Sequence, residues 1–439
     1  MNDLPYPAPT AIGNSALFMK LLLVTHVSPV PTASGGAQRT HLLYQALAAC
    51  GEVDLVLLTR PGRFTAMETA RLEREFRLRA CLPIQGPEDR GAWRWLPLSR
   101  RWRKRLSHSA DGSRWLIQEQ PQLRAQVERA VNLSDYDVIV GRFTRSIACL
   151  GLHRHSPAPL ALDVDDWDPD RYRSRLEGRV NSVERAILER HLRHLHVGLP
   201  GVLDTVQTLW VANPDNLSEP PLRRAHVLPN IPFHAPGKLT DRIPEGEVVM
   251  TIGSYAYRPN VHGVDWFLRE VWPGVLASRP KAILRIYGSS LPPAQRTRWS
   301  SNRQVEVIGY VENVDDAYAS ATATLCTVPS GAGSNVKVLE SLAHGRACIT
   351  TRSGARGFRS LVEAGAILTC NHAQEMIDTT CSALADRTAT LSRGQLGCQR
   401  VQQDYTFAAF AATVAAGLQS ALEGARNRML DTTLAAPRA

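Results

Sequence analysis

No two of the eight cysteines stand in a C-x-x-C pair: they lie scattered at 50, 81, 149, 326, 348, 370, 381 and 398. That spacing suggests neither a zinc ribbon nor a disulfide framework, and it fits a reducing compartment. No apolar run approaches the roughly 18 residues that a membrane span needs. Residues 1–18 lack a basic stretch followed by an apolar core, so they do not read as a signal peptide. They are expected to form a disordered extension ahead of the first strand, and a cytoplasmic location is expected. Acid is scarce relative to base: 51 Lys+Arg against 41 Asp+Glu leave a net charge of +10. Such a balance favours anionic partners without choosing among phosphates, acidic membranes and nucleic acid. With 44% hydrophobic and 21% charged residues in 439, the chain is no disordered, collagenous or coiled-coil protein. It is long enough to bury two or three cores.

The apolar run Leu21–Thr25 is followed by a Pro/Gly loop over 28–36, a helical pattern through Leu42, Leu43, Leu47 and Ala48, and a second apolar run, Val53–Leu58. Strand, loop, helix and strand, with both strands apolar throughout, define a βαβ unit of a parallel sheet. Short strands recur at Val138–Val140, Leu160–Val164 and Thr208–Val211. Residues 19–233 are therefore read as one α/β domain. A proline-rich texture around Leu228–Pro232 leads into a linker over 234–246. A second α/β series follows at Val248–Ile252, Ala282–Ile286, Val305–Ile308, Ala323–Cys326 and Cys348–Thr350, giving a second domain over 247–404. A C-terminal amphipathic helix over 405–422 and a disordered tail, 423–439, complete the expected layout. Two doubly wound sheets joined in this way imply a cleft, with ligands beyond the carboxyl ends of the strands.

The most informative segment is Pro329-Ser330-Gly331-Ala332-Gly333-Ser334-Asn335-Val336-Lys337-Val338-Leu339-Glu340. It follows a strand and opens a helix, with Ser334 the expected N-cap. Free amides at a helix start, approached through Gly331 and Gly333, suit a phosphate. Lys337 adds to this: a cation in a first helical turn is unfavourable by roughly 0.3–1 kcal/mol, and a bound anion reverses that sign. The alternative is a solvated lysine on an ordinary helix. Glu340, three residues on, shares its face and can accept two hydroxyl hydrogen bonds, as from a sugar ring.

This stretch resembles the donor-site signature of the family-4 glycosyltransferases, which have the GT-B fold of two Rossmann-like domains facing a central cleft. Other segments resemble the same family in order: Ser34-Gly35-Gly36-Ala37-Gln38-Arg39, Val227-Leu228-Pro229-Asn230, Ile252-Gly253-Ser254 with Arg258-Pro259-Asn260-Val261, and Gly309-Tyr310-Val311. The resemblance implies transfer of a sugar from a nucleoside-diphosphate sugar to a saccharide or lipid-linked acceptor, with retention at the anomeric carbon and no cofactor. It implies that Glu340 holds the donor ribose, that Gly35 and Gly36 let the backbone approach the diphosphate, and that Gly309, Tyr310 and Val311 face the nucleobase. Gly253, Ser254, Gly331, Gly333, Ser334 and Asn335 complete the expected donor-binding set. The acceptor would enter mainly from the N-terminal domain.

The chain departs from the family where leaving-group charge is handled. The family often carries two glutamates eight positions apart, and the earlier position here is Ala332. The usual Arg and Lys after the first donor-domain strand are replaced by Ser254 and Pro259, which leaves Arg258 and Lys337 to neutralise the departing diphosphate. In the N-terminal domain, Asp163-Val164-Asp165-Asp166-Trp167 resembles a variant found in exopolysaccharide sugar transferases. Asp165 or Asp166 could orient an acceptor hydroxyl or take its proton, or cap a turn. His26, alone at the end of the first strand, reads as structural. His191, His194 and His196 lack a carboxylate or cysteine to complete a metal site and read as part of a solvated or interface helix.

Trp93 to Leu106 holds six cations and no acid, with Leu98, Trp102 and Leu106 spaced for one helical face. Basic amphipathic segments with tryptophan suit anionic membrane surfaces, so peripheral attachment at the inner face is one reading. A solvated helix with its tryptophans buried against the domain is the other; no nucleic-acid partner is expected. Two further functions fit the same pattern: a nucleotide-sugar epimerase of this fold, and a degenerate donor-binding partner without turnover.

Overall fold

The computed structural model describes residues 18–178, 180–234, 244–329 and 333–434. The expected extension lies outside these residues except for Phe18, as do most of the linker, the last five residues of the tail, Gly331 and Ala332.

The N-terminal sheet has seven parallel strands: β1 (Met19–Thr25), β2 (Gly51–Leu57), β3 (Leu78–Cys81), β4 (Val138–Arg142), β5 (Leu160–Asp163), β6 (Thr208–Val211) and β7 (His226–Val227). Their order is β3-β2-β1-β4-β5-β6-β7, so the winding direction reverses between β1 and β4. β4 is buried along its whole length, as a central strand covered on both faces must be. β1 and the residues up to Thr32, with Gly36–Leu228 and the chain from Phe410 onward, form one compact unit.

The helix Phe407–Leu434 supplies that C-terminal portion and runs past the expected end at 422, so part of the anticipated tail is helical. Ala411, Val414, Leu418 and Ala421 are buried, and the Thr208 hydroxyl donates to Gly417 O at 2.8 Å. By length and composition the stretch 387–427 would suffice to cross a membrane, contrary to the expectation that no run approaches that size. The burial of this face accounts for its apolar character within the protein.

Pro229–Ala409, with Ala33–Gly35, form the second unit. Its six parallel strands are β8 (Val248–Ile252), β9 (Ile283–Tyr287), β10 (Val305–Gly309), β11 (Ala323–Cys326), β12 (Ala347–Thr351) and β13 (Ile367–Cys370), ordered β10-β9-β8-β11-β12-β13. The reversal falls between β8 and β11. β10 is an edge strand with alternating exposure, and its Glu306 pairs across the sheet with Arg285 at 2.8 Å. Both sheets thus have the doubly wound order that places ligand sites beyond the strands' carboxyl ends, at the reversal.

Candidate functional site

In the C-terminal unit, the loops leaving β8 and β11 flank the reversal point. β8 runs into Gly253 and Ser254, and the helix Arg258–Trp266 follows, with Pro259 in its first turn where no backbone donor is needed. β11 leads through Pro329 to the helix Val336–Ala343. The N-cap of that helix is Asn335 rather than Ser334, and it makes no side-chain capping bond to the helix. Ser334 instead accepts from Asn230 Nδ2 at 2.5 Å, while Asn335 Nδ2 points toward Ser353 O and Gly354 O at 3.5 Å. Gly333, just before Ser334, is half-buried.

Lys337 reaches back from this helix to the β8 loop. Its Nζ donates to Asn260 Oδ1 at 2.7 Å, and Asn260 Nδ2 donates to Ser254 O at 2.8 Å. The cation lies against Gly253: a Cβ there would stand 3.1 Å from Nζ and 2.9 Å from Asn260 Nδ2. Gly253 O in turn lies where a Cβ on Gly288 would be, 1.8 Å away, and Gly288 has a φ of +142°. Gly288 N donates to Gly309 O at 2.7 Å, so the carboxyl ends of β8, β9 and β10 are laced together. Gly309 (φ +91°), Tyr310 and Val311 follow, with Tyr310 exposed. Arg258, at the first residue of its helix, is exposed and makes no ion pair or side-chain hydrogen bond among the described residues.

One turn beyond Lys337, Glu340 is half-buried. Burial raises its pKa, and the charges of His344 and Lys337 only partly offset this. The structure therefore brings Gly253, Ser254, Lys337 and Glu340 together at the reversal point, with Gly309 linked to them through Gly288. A cation and a carboxylate side by side at a helix start can hold a diphosphate and a sugar hydroxyl at once. Asn260, which ties Lys337 to the β8 loop, stood in the segment Arg258–Val261 that resembles the family but was given no role of its own.

Gly35 and Gly36 open the helix Gly35–Ala48 that follows β1. Arg39, one turn into that helix, is buried and grips Asp163 at the end of β5 through two hydrogen bonds, 2.9 and 2.7 Å, while also donating to Leu228 O at 3.0 Å. Arg142, the last residue of β4, is likewise buried; it pairs with Asp165 at 2.5 Å and approaches Asp163 at 3.3 Å. Burial alone would raise the Asp163 pKa, but Arg39 and Arg142 outweigh it and hold the carboxyl below its usual range. Asp165, with a φ of +52° and a side chain 9% exposed, is committed to this pairing. A carboxylate locked between two arginines has little freedom to meet a substrate, which favours the turn-aspartate reading of Asp165 over the catalytic one.

Asp166 differs. It is half-buried, and burial together with the Asp165 charge raises its pKa to about 7, against the opposing pull of Arg171 and Arg142. His26, just past β1, contacts Ser146 Oγ at 3.3 Å and lies 4.8 Å from the Phe143 ring. Burial and the charges of Arg142, Arg171 and Arg145 lower its pKa to about 3, so the imidazole is neutral at physiological pH. Of the two readings of this helix, solvated or interface, His191 fits the second: it is buried and joins two helices through Ser113 Oγ (2.7 Å) and Ser109 O (2.8 Å). Among the described residues, no group of three or more His, Cys, Asp or Glu could hold a metal ion.

The basic segment forms a 3-10 turn, Gly91–Trp95, and the start of the helix Arg100–Ile117. Trp93 is anchored through Nε1 to Asp111 at 2.8 Å, whereas Trp95 is 78% exposed and Trp102 53%. Leu98 and Leu106 are exposed with them, so burial of these side chains against the domain does not occur. Arg94 stacks over Trp95 and Arg105 over Trp102, at 5.2 and 5.4 Å. Arg100 is spoken for by Asp89 at 2.9 Å, an acid just upstream of the segment.

Residues 246–386 match the family described as glycosyl transferases group 1. No match was found among curated protein sequences. Among solved structures, HepE of Anabaena in complex with UDP and glucose is 13% identical, covers 92% of this chain and 100% of its own, and superposes with a TM-score of 0.58. Sucrose-phosphate synthase from Thermosynechococcus elongatus is 16% identical, covering 95% of this chain and 100% of its own, with a TM-score of 0.60. WaaG, a glycosyltransferase involved in lipopolysaccharide biosynthesis, is 13% identical over 90% of this chain and 98% of its own, with a TM-score of 0.57. The fold is GT-B. The match to the group 1 glycosyl transferases over 246–386, on this fold, supports a glycosyltransferase.

Proposed function

We propose that this enzyme moves a sugar from a nucleoside-diphosphate sugar to a saccharide or lipid-linked acceptor in polysaccharide or glycolipid biosynthesis, with retention at the anomeric carbon. The observation that carries the reading is Lys337, pinned by Asn260 over Gly253 at the reversal point of the donor-side sheet. When the bond from the anomeric carbon to the diphosphate breaks, negative charge gathers on the diphosphate. Lys337, the amides at the start of its helix, and Arg258 from the neighbouring helix stabilise that charge. Glu340 accepts hydrogen bonds from the donor ribose, and the backbone at Gly309–Val311 faces the nucleobase. The complexes of HepE with UDP, UDP-glucose and UDP plus glucose support a nucleotide sugar as donor.

On the acceptor side, Asp166 accepts a hydrogen bond from the attacking hydroxyl and can take its proton. A carboxyl with a pKa near neutrality suits proton transfer at physiological pH. In this reading the enzyme is cytoplasmic and seats on the anionic inner face of a membrane. Trp95, Leu98, Trp102 and Leu106 enter the interface there, and Arg101, Lys104 and Arg105 meet the headgroups.

The test is a thermal-shift panel of nucleotide sugars and nucleoside diphosphates, followed by turnover with the stabilising donor. A ligand that binds the native state raises the melting temperature. Stabilisation by one nucleotide series, with consumption of the donor only when acceptor is supplied, supports the proposal. Isomerisation of the donor without acceptor points to an epimerase, and binding without turnover or hydrolysis to a degenerate partner.

A further inference from the structure

Two residues that no motif singled out stand behind Glu340. Tyr318, on the helix Val314–Ala319, is buried, and its ring stacks on His344 with centroids 4.2 Å apart and planes 17° from parallel. His344 sits just past the end of the helix that carries Lys337 and Glu340. Its Nδ1 lies 2.6 Å from Glu340 O and its Nε2 2.8 Å from Asp315 Oδ1, so it fastens that helix end to the helix bearing Tyr318. The Tyr318 hydroxyl is buried without a hydrogen-bond partner, and it lies close enough to Glu340 for that charge to act on the phenol. Burial, with the Glu340 charge adding to it, keeps the phenol protonated and therefore a donor.

A ribose-binding carboxylate must offer its oxygens in one orientation, and a long side chain on a helix surface does not do so unaided. Here the backbone of Glu340 is held from below by His344, and the buried Tyr318 hydroxyl near its carboxylate is a donor with no other partner. We propose that Tyr318 and His344 are positioning residues that aim Glu340, and that this assembly makes the donor site selective for ribonucleotides over 2′-deoxyribonucleotides. The inference rests on the reading of Glu340 as the ribose ligand. It goes beyond that reading by assigning the selectivity to a rigid support rather than to the glutamate alone.

The experiment measures calorimetric affinity for UDP, GDP, ADP and CDP and for their 2′-deoxy counterparts. It is made on the parent, Glu340→Gln, Tyr318→Phe and His344→Gln, with inorganic pyrophosphate as a control for the diphosphate subsite. In the parent, the best-bound nucleotide is expected to exceed its deoxy counterpart on the order of tenfold, the worth of a hydrogen bond to a charged group. Tyr318→Phe keeps the ring and its stack on His344 and removes only the hydroxyl, so the melting temperature is expected to hold. The ribo/deoxy ratio is expected to fall to about threefold or less, because a carboxylate free to turn loses much of that bond's worth. Pyrophosphate affinity should not change, and His344→Gln should lower the ratio in the same direction. If Glu340→Gln leaves the ratio at the parent's value, Glu340 is not the ribose ligand and both readings fall. If Glu340→Gln collapses the ratio while Tyr318→Phe and His344→Gln retain it, the ribose reading stands and the positioning role is overturned. Loss of pyrophosphate binding together with the ratio would mark a merely structural role and would also overturn it.

Discussion

Lys337 Nζ donates to Asn260 Oδ1 at 2.7 Å, across the gap between the loops that leave β11 and β8. The partner is an amide, so the lysine is oriented without being neutralised. Its position in the first turn of a helix sets it against the positive end of the helix dipole, a cost that a bound anion removes. Asn260→Asp places a carboxylate where the amide stood and converts this orientation into an ion pair. The variant should stay folded and lose roughly tenfold or more in nucleoside-diphosphate affinity, because the competing acid satisfies the cation before the ligand arrives. Calorimetric titration of parent and variant with the same nucleotide checks this. Equal affinities would separate Lys337 from the diphosphate.

Asp165 and Asp166 are neighbours with different fates. Asp165→Asn breaks the pairing with buried Arg142 and should cost about 3 kcal/mol of stability, as expected when one partner of a buried ion pair is removed. Asp166→Asn should leave stability at neutral pH equal or higher and lower kcat about 100-fold or more. The parent's kcat/KM should climb with pH through about 7, the value to which the Asp166 pKa is raised, and the variant should lose that limb. Denaturant melts and pH–rate profiles on the two variants separate the roles.

His26 and Asp166 give stability opposite dependences on pH. The folded His26 pKa is lowered from 6.5 to about 3, so its burial is harmless above 6.5 and destabilises the fold as pH falls toward 3. The Asp166 pKa is raised from 3.8 to about 7, so its burial is harmless below 3.8 and destabilises the fold as pH rises toward 7. Relative to the parent, His26→Gln should therefore gain stability as pH falls, and Asp166→Asn should gain it as pH rises. Urea unfolding across this range reads both trends; difference curves flat with pH would contradict them.

Much of the fold was legible because the central strands of a doubly wound sheet are apolar on both faces. β1, β2, β4 and β8 could be read as short unbroken runs. β3, with Arg79 outward on an edge, and the two-residue β7 carry no such run; β13, half-buried at two of its positions on an edge of the other sheet, was passed over as well. The proposed donor site was legible as glycines and a lysine near strand ends. Its geometry was not, since Lys337 and Asn260 are 77 positions apart, and Arg39 and Asp163 are 124 apart. Neither the buried arginine that pairs with Asp165 nor the tyrosine behind Glu340 leaves a local pattern: each matters through what the tertiary fold sets beside it.

The exposed tryptophans make membrane attachment measurable. Replacing Arg101, Lys104 and Arg105 with Gln should weaken binding to anionic vesicles by about 1 kcal/mol per charge near the surface. Replacing Trp95 and Trp102 with Ser should weaken it further and make what remains more salt-sensitive, since the apolar part of the contact is gone. Sedimentation with phosphatidylserine-containing vesicles at low and high salt reads both effects. A parent that fails to sediment at low salt would exclude this surface as a membrane contact.

The central claim is that Lys337 stabilises the departing diphosphate, and Lys337→Ala tests it most directly. Single-turnover kinetics at saturating donor, with donor affinity measured separately by calorimetry, distinguish transition-state from ground-state effects. The chemical step should slow by about 100-fold or more, the cost of removing a preorganised charge from the reacting centre, with a smaller loss in donor affinity. A variant that turns over the donor at the parent's rate would contradict the account and place the leaving-group site elsewhere.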